Sequence, residues 1–236
     1  MQQKYNRIII KISGEALSGG TGHGIDDEML AFVGKQIKAV TDRGVQVGII
    51  VGGGNFWRGK GASEIERSTA DQMGMLATVM NALAMKDAFL RMGIDTVVQT
   101  SIDMLRIAEP YNYSSATKHL SDGKVVIFAG GTGCPYFSTD TGAALKAAEV
   151  HAEVLLLAKN VDGVYDSDPK KNPNAKKYDR IGYDRILSEG LNALDITATA
   201  MCMENNIPVL VFALKEENSI VDAVCGTGKF TGTIIN

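Results

Sequence analysis

VQVGIIVGGGN, residues Val45–Asn55, is the stretch on which the fold is read. Its first seven residues are largely apolar and β-forming, and Gly52-Gly53-Gly54 cuts them off abruptly. Apolar side chains on consecutive positions suit a strand covered on both faces, and glycines directly after it suit a sharp strand-to-helix turn. The same form recurs along the chain. Strands are predicted at Arg7–Ser13, Ile94–Thr100, Lys124–Ala129, Glu153–Ala158 and Pro208–Leu214. Between them lie helical stretches with readable ends. Asp26 or Asp27 caps one that runs to about Arg43, with Gly44 as its stop. Another spans Ala70 to Met92 before Gly93; a third begins near Thr139–Asp140 and ends before Glu153; Asp195 opens a fourth that ends at Asn205–Asn206. This alternation predicts an α/β three-layer sandwich, a mainly parallel central sheet with helices on both faces.

The chain of 236 residues is long enough for one such domain with a substantial core. Its net charge of −3 offers no general attraction to nucleic acid or an anionic membrane, so any bound phosphate needs local features to hold it. Cys134, Cys202 and Cys225 are odd in number and far apart, which argues for a reducing compartment and against a disulfide framework or a zinc site. The scattered His23, His119 and His151 agree. No signal-peptide pattern opens the sequence and no apolar run approaches bilayer length, so the expectation is cytoplasmic. One stretch breaks the rhythm: Asn160 to Lys177, NVDGVYDSDPKKNPNAKK, reads as a long exposed loop, more often functional than accidental. A soft lobe boundary within a single domain is expected near 152–160.

Three glycine-rich segments follow strands directly: Lys11-Ile12-Ser13-Gly14, Gly52-Gly53-Gly54-Asn55 with Arg58 beyond it, and Gly130-Gly131-Thr132-Gly133-Cys134-Pro135. In a doubly wound sheet such turns gather at the carboxyl edge, where backbone N–H groups and helix N-termini meet phosphate oxygens. One such turn is weak evidence; three, two with a cation nearby, point to phosphate binding. The P-loop pattern is absent, because Gly228-Lys229 is followed by Phe230 and Ala223 stands where the earlier glycine belongs. The dinucleotide fingerprint also fails, with Tyr136 in the place of its third glycine. Lys11, set inside an apolar strand between Ile10 and Ile12, needs an anionic partner. Asp71, Asp140 and Asp195 fall at predicted helix starts, where capping alone accounts for them.

Several stretches together resemble the amino acid kinase family: Lys11-Ile12-Ser13-Gly14-Glu15, the GGGN-x-x-RG of Gly52–Gly59, and Asp162-Gly163-Val164-Tyr165 with Asp168-Pro169. Asp71-x-Met73-Gly74-Met75-Leu76-Ala77-Thr78 and Gly131-Thr132-Gly133-x-Pro135-x-Phe137-x-Thr139-Asp140 are similar to its UMP-phosphorylating branch. The resemblance runs from about Arg7 to the C-terminus. It implies transfer of the ATP γ-phosphate to UMP in pyrimidine nucleotide synthesis, with the acceptor on the N-terminal lobe and ATP on the C-terminal one. Lys11, Arg58, Asp140 and Asp195 are then the catalytic residues. ATP is expected to meet Lys11, Ile12, Ser13, Gly14, Gly54, Arg58, Tyr165 and Asp168, joined by Lys159 or Asn160. UMP is expected at Gly53, Asp71 and the run Thr132, Gly133, Cys134, Pro135, Tyr136, Phe137, Ser138, Thr139. The resemblance further implies Mg²⁺ held mainly by ATP phosphates and water, a homohexamer, and GTP and UTP as effectors. Gly20, Thr21, Gly22, His23, Gly24 and Ile25 match a segment tied to the GTP response. Kinases of acetylglutamate or carbamate, and a non-catalytic nucleotide store or sensor, are the rival expectations.

Overall fold

The computed structural model describes residues 4–57, 64–191, 193–226 and 230–236. In chain order the strands are β1 (Arg7–Ile12), β2 (Gln46–Val51), β3 (Thr96–Thr100), β4 (Glu109–Pro110), β5 (Val125–Ala129), β6 (Val154–Lys159), β7 (Val164–Tyr165), β8 (Lys177–Tyr178), β9 (Arg180–Ile181), β10 (Val209–Ala213) and β11 (Gly232–Ile235). The helices are α1 (Gly14–Leu17), α2 (Asp27–Thr41), α3 (Arg67–Arg91), α4 (Tyr113–Ser121), α5 (Thr139–Glu149), α6 (Tyr183–Glu189), α7 (Ile196–Glu204) and α8 (Ser219–Cys225). All six predicted strands are present.

The central sheet has the order β4-β3-β5-β2-β1-β6-β10-β11-β9, and its neighbours are parallel except β10 and β11. The chain winds outward from β1 through β2 to β3 and the edge strand β4, places β5 between β3 and β2, then crosses to the far side of β1 with β6 and β10. That reversal places a topological switch point at the carboxyl ends of β1, β2 and β6, the position where open α/β sheets bind ligands. It fixes where the site lies before any side chain is considered.

Both faces are covered. Ile8, Ile10 and Ile12 pack with residues of α2, α3 and α8, whereas Ile9, Leu155 and Leu157 pack with residues of α4, α5, α6 and α7. Burial of one such side chain stabilises the fold by about 1.5–3 kcal/mol, so the two apolar faces, not the turns, hold the sheet. Strand periodicity puts Lys11 on the Ile9 face, beneath α5 and α7.

Some expectations need correction. The helix expected from Ala70 begins at Arg67, because Glu66 caps it by accepting the Thr69 N–H. Asp71 therefore lies inside that helix and is not its cap. Ser138 caps α5, accepting from the Asp140 and Thr141 N–H groups, so Asp140 is not a cap either. Asp195 does cap α7, through the Ala198 N–H. The long loop is also more ordered than expected, since Val164–Tyr165 and Lys177–Tyr178 pair as an antiparallel ribbon.

Candidate active site at the carboxyl edge

The glycine turns after β1 and β2 pack backbone against backbone. A Cβ on Gly14 would stand 2.5 Å from Asn55 Oδ1 and 2.7 Å from the Gly54 nitrogen, and one on Gly53 would stand 2.7 Å from the Gly74 oxygen. Only glycine allows these approaches. A buried amide pair fixes the arrangement: Asn55 and Asn81 exchange side-chain hydrogen bonds of 2.9 and 2.7 Å. Asn81 also donates to the Gly52 carbonyl and Asn55 to the Gly24 carbonyl. One turn further back on α3, the Thr78 hydroxyl accepts the Gly130 N–H at 2.7 Å. The single helix α3 thus holds the turns after β2 and β5 in fixed relation.

Between those turns lies a cavity lined by Gly53, Trp57, Asp71, Thr132, Cys134 and Phe137–Thr139, together with helix residues such as Met75 and Thr78. Most residues expected at the acceptor therefore meet in one place. Gly133 and Pro135 belong to the loop without lining the cavity, and Tyr136 faces a neighbouring cleft beside Ile196. Asp71 is anchored from two sides, at 2.8 Å from Arg67 Nε and accepting the Tyr136 N–H at 2.9 Å. Those partners hold its carboxyl below the usual carboxylate range although burial opposes the shift. Tyr136 has φ of 71°, a left-handed conformation costly for a non-glycine residue, and Asp71 helps to hold it there.

At the switch point four charged groups converge. Lys11 Nζ lies 2.7 Å from Asp140 Oδ1, both side chains largely buried, so the anionic partner demanded by Lys11 is the second residue of α5. Asp195 accepts hydrogen bonds from the Ser138 and Thr141 hydroxyls as well as from its own helix. The N-termini of α5 and α7 therefore meet at one point, and each adds positive potential there. Lys159, at the end of β6, feels both aspartates and Lys11. Burial, the largest influence, pushes its ammonium below the ordinary lysine value. Asn160 is exposed.

On the other side a second cavity is lined by Val161, Gly163–Pro169 and Glu189–Leu191, which brings Tyr165 and Asp168 together as expected. Its ribbon is tied to the sheet by Thr233 on β11, whose hydroxyl accepts the Val164 N–H and donates to the Tyr178 carbonyl. The Tyr165 hydroxyl donates to Asp162, which also pairs with Lys177. The segment Gly20 to Ile25 lies apart from both cavities and touches the β2 turn through Gly24, with His23 edge-on to Phe56. Arg58 lies outside the described residues. The sequence reading gave Trp57, Thr78 and Asn81 no role, although Thr78 closes the Asp71 motif and both Thr78 and Asn81 stand as polar residues inside an otherwise apolar run of helix.

A parallel sheet whose switch point gathers glycine turns, helix N-termini and paired lysines and aspartates is the architecture of an α/β phosphotransferase. The family model described as the amino acid kinase family matches residues 6–213, and the chain belongs to that family. Among solved structures, the UMP kinase from Bacillus anthracis is 36% identical with a TM-score of 0.94, over 98% of this chain and 96% of that one. The UMP kinase from Ureaplasma parvum is 40% identical with a TM-score of 0.92 over 100% of both chains. The uridylate kinase from Archaeoglobus fulgidus is 29% identical with a TM-score of 0.73, over 97% of this chain and 99% of that one.

Proposed function

We propose that the protein transfers the γ-phosphate of ATP to UMP, giving UDP. The observation that carries this reading is the Lys11–Asp140 junction between two cavities, one flanked by glycine turns and Asp71, the other by Tyr165 and Asp168. Full-length likeness to UMP kinases supports UMP as the acceptor. In this reading the chain is one domain, with an acceptor lobe and an ATP lobe meeting near residues 152–160. We assign Gly53, Asp71 and Thr132–Thr139 to UMP, and Tyr165 and Asp168 to the adenosine of ATP. We assign Lys11, Ser13, Gly14 and Gly54 to the transferred group, and Arg58 with them on the strength of the sequence resemblance alone.

A phosphate monoester is already a competent nucleophile, so the site needs alignment and charge neutralisation more than a base. Lys11 and the backbone amides of the glycine turns supply donors to oxygens that gain charge during transfer. Asp140 sets the Lys11 ammonium in place, and Asp195 ties the two helix N-termini together. Among the described residues no three carboxylate, histidine or cysteine groups converge as a metal cage, and Asp140 and Asp195 both have protein partners. This donor set fits Mg²⁺ carried in by ATP phosphates and water, supplying charge neutralisation between the two nucleotides.

We extend the reading to a homohexamer regulated by GTP and UTP, and to the cytoplasm. No helix among the described residues is long and apolar enough to cross a membrane. The test is ADP release with ATP and Mg²⁺ across UMP, CMP, AMP, acetylglutamate, aspartate and carbamate. Turnover with UMP alone is expected. Turnover with an amino acid or carbamate would reassign the Asp71 cavity, and ATP binding without turnover on any acceptor would favour a store or sensor.

A further inference from the structure

We infer that Lys159 is a second cation facing the transferred phosphoryl group, a partner of Lys11, and not part of the adenosine cavity. The inference rests on the kinase reading above. Its first support is register. Lys11 on β1 is paired with Leu157 on β6, so Lys159, two residues further along, leaves the sheet on the same face as Lys11. Both strands end at the switch point, and both side chains rise toward the N-termini of α5 and α7.

The second support is company. The charged groups that act on Lys159 are Asp140 from α5, Lys11 from β1 and Asp195 at the start of α7. The thiol of Cys202, also on α7, is pushed up to about 12 by burial and stays uncharged. By contrast, the cavity assigned to adenosine begins at Val161 and is lined by neither Lys159 nor Asn160. The Lys159 ammonium already donates to the Ala193 carbonyl, two residues before Asp195. One donor used there leaves two for an incoming anion. An ammonium in a largely buried site is costly unless anions surround it, and two aspartates offset two lysines only until a phosphoryl group arrives. The four groups are charge-balanced at rest, so what they offer an incoming phosphoryl group is directed N–H donors beside the N-termini of α5 and α7, not a net positive field.

Burial lowers the lysine pKa, so the protonated form is fully present at low pH and is lost as pH rises through a value below the ordinary 10.5. The decisive experiment measures kcat, the KM for ATP and the pH profile of kcat for the unaltered protein, Lys159→Met and Lys159→Arg. Expected results are a kcat loss of at least about a hundredfold in Lys159→Met with little change in KM for ATP. The unaltered protein is expected to lose kcat on the alkaline side below pH 10.5. Lys159→Arg should recover part of the rate and move that alkaline limb upward, because guanidinium stays charged.

A raised KM for ATP with unchanged kcat in Lys159→Met would overturn the inference and return Lys159 to the adenosine cavity. Equal losses in both variants, with the alkaline limb unmoved, would reduce Lys159 to a tether for the Ala193–Asp195 segment. Should Lys159→Met fail to fold, the Lys159→Arg profile decides on its own. UDP formation by the unaltered protein separates the two questions: without it the kinase reading falls and takes this inference with it.

Discussion

The two sides of the crevice are held together by different means. The side assigned to the acceptor is braced from beneath by buried side chains: Thr78 on the Gly130 N–H, Asn81 on the Gly52 carbonyl, and Asn81 with Asn55. The side assigned to ATP is a ribbon of two two-residue strands with an exposed loop, tied to the sheet by Thr233 from β11. Bracing by buried hydrogen bonds yields a preset shape, since each unmade bond there carries the full desolvation cost. A ribbon on the surface instead depends on a few local contacts and opens at low cost. Between the two sits the Lys11–Asp140 junction, which belongs to neither.

Substitutions can break this contrast in graded steps. Lys11→Ala should act on both sides at once, lowering kcat by at least about a hundredfold, the scale of one lost transition-state charge contact. Near-normal turnover in a steady-state assay would show that the junction is structural. Asp71→Ala should raise the KM for UMP by about ten- to hundredfold, the worth of one charge-assisted hydrogen bond, and barely change that for ATP. Equal rises for both substrates would erase the division between the sides. Asn81→Ala leaves the Gly52 carbonyl and the Asn55 amide short of partners and should cost about 1–3 kcal/mol of stability in urea unfolding. An unchanged midpoint would mean the brace is dispensable. Tyr165→Phe removes only a hydroxyl bonded to Asp162, and its effect on the KM for ATP should stay within about fivefold. A larger effect would make the donor side as tightly set as the acceptor side.

The central strands were legible because each is an apolar run of five or six residues between turn signals. Strands β4, β7, β8 and β9 are only two residues long, below what any periodicity can register, and β11 is four. At the site, the sequence placed Asp71, Asp140 and Asp195 near helix starts but could not distinguish cap from neighbour. Glu66 and Ser138 took the capping positions, which freed Asp71 and Asp140 for Tyr136 and Lys11. The choice between Lys159 and Asn160 was closed to sequence alone. The cavity around Tyr165 and Asp168 is lined by neither, and the face on which Lys159 leaves the sheet follows from the register between β1 and β6, strands separated by more of the chain than any local pattern spans.

The place of β11 has a consequence for the order of assembly. Chains emerge from the ribosome N-terminus first, and the segments from β1 to β6 can pair while the rest is still being made. The ribbon cannot: its anchor, Thr233, lies on β11, which joins β9 to β10 and follows both in the chain. The acceptor half is thus available for folding many residues before the donor half can close. A nascent chain halted before β11 should therefore lack the Thr233 contacts that tie the ribbon to the sheet.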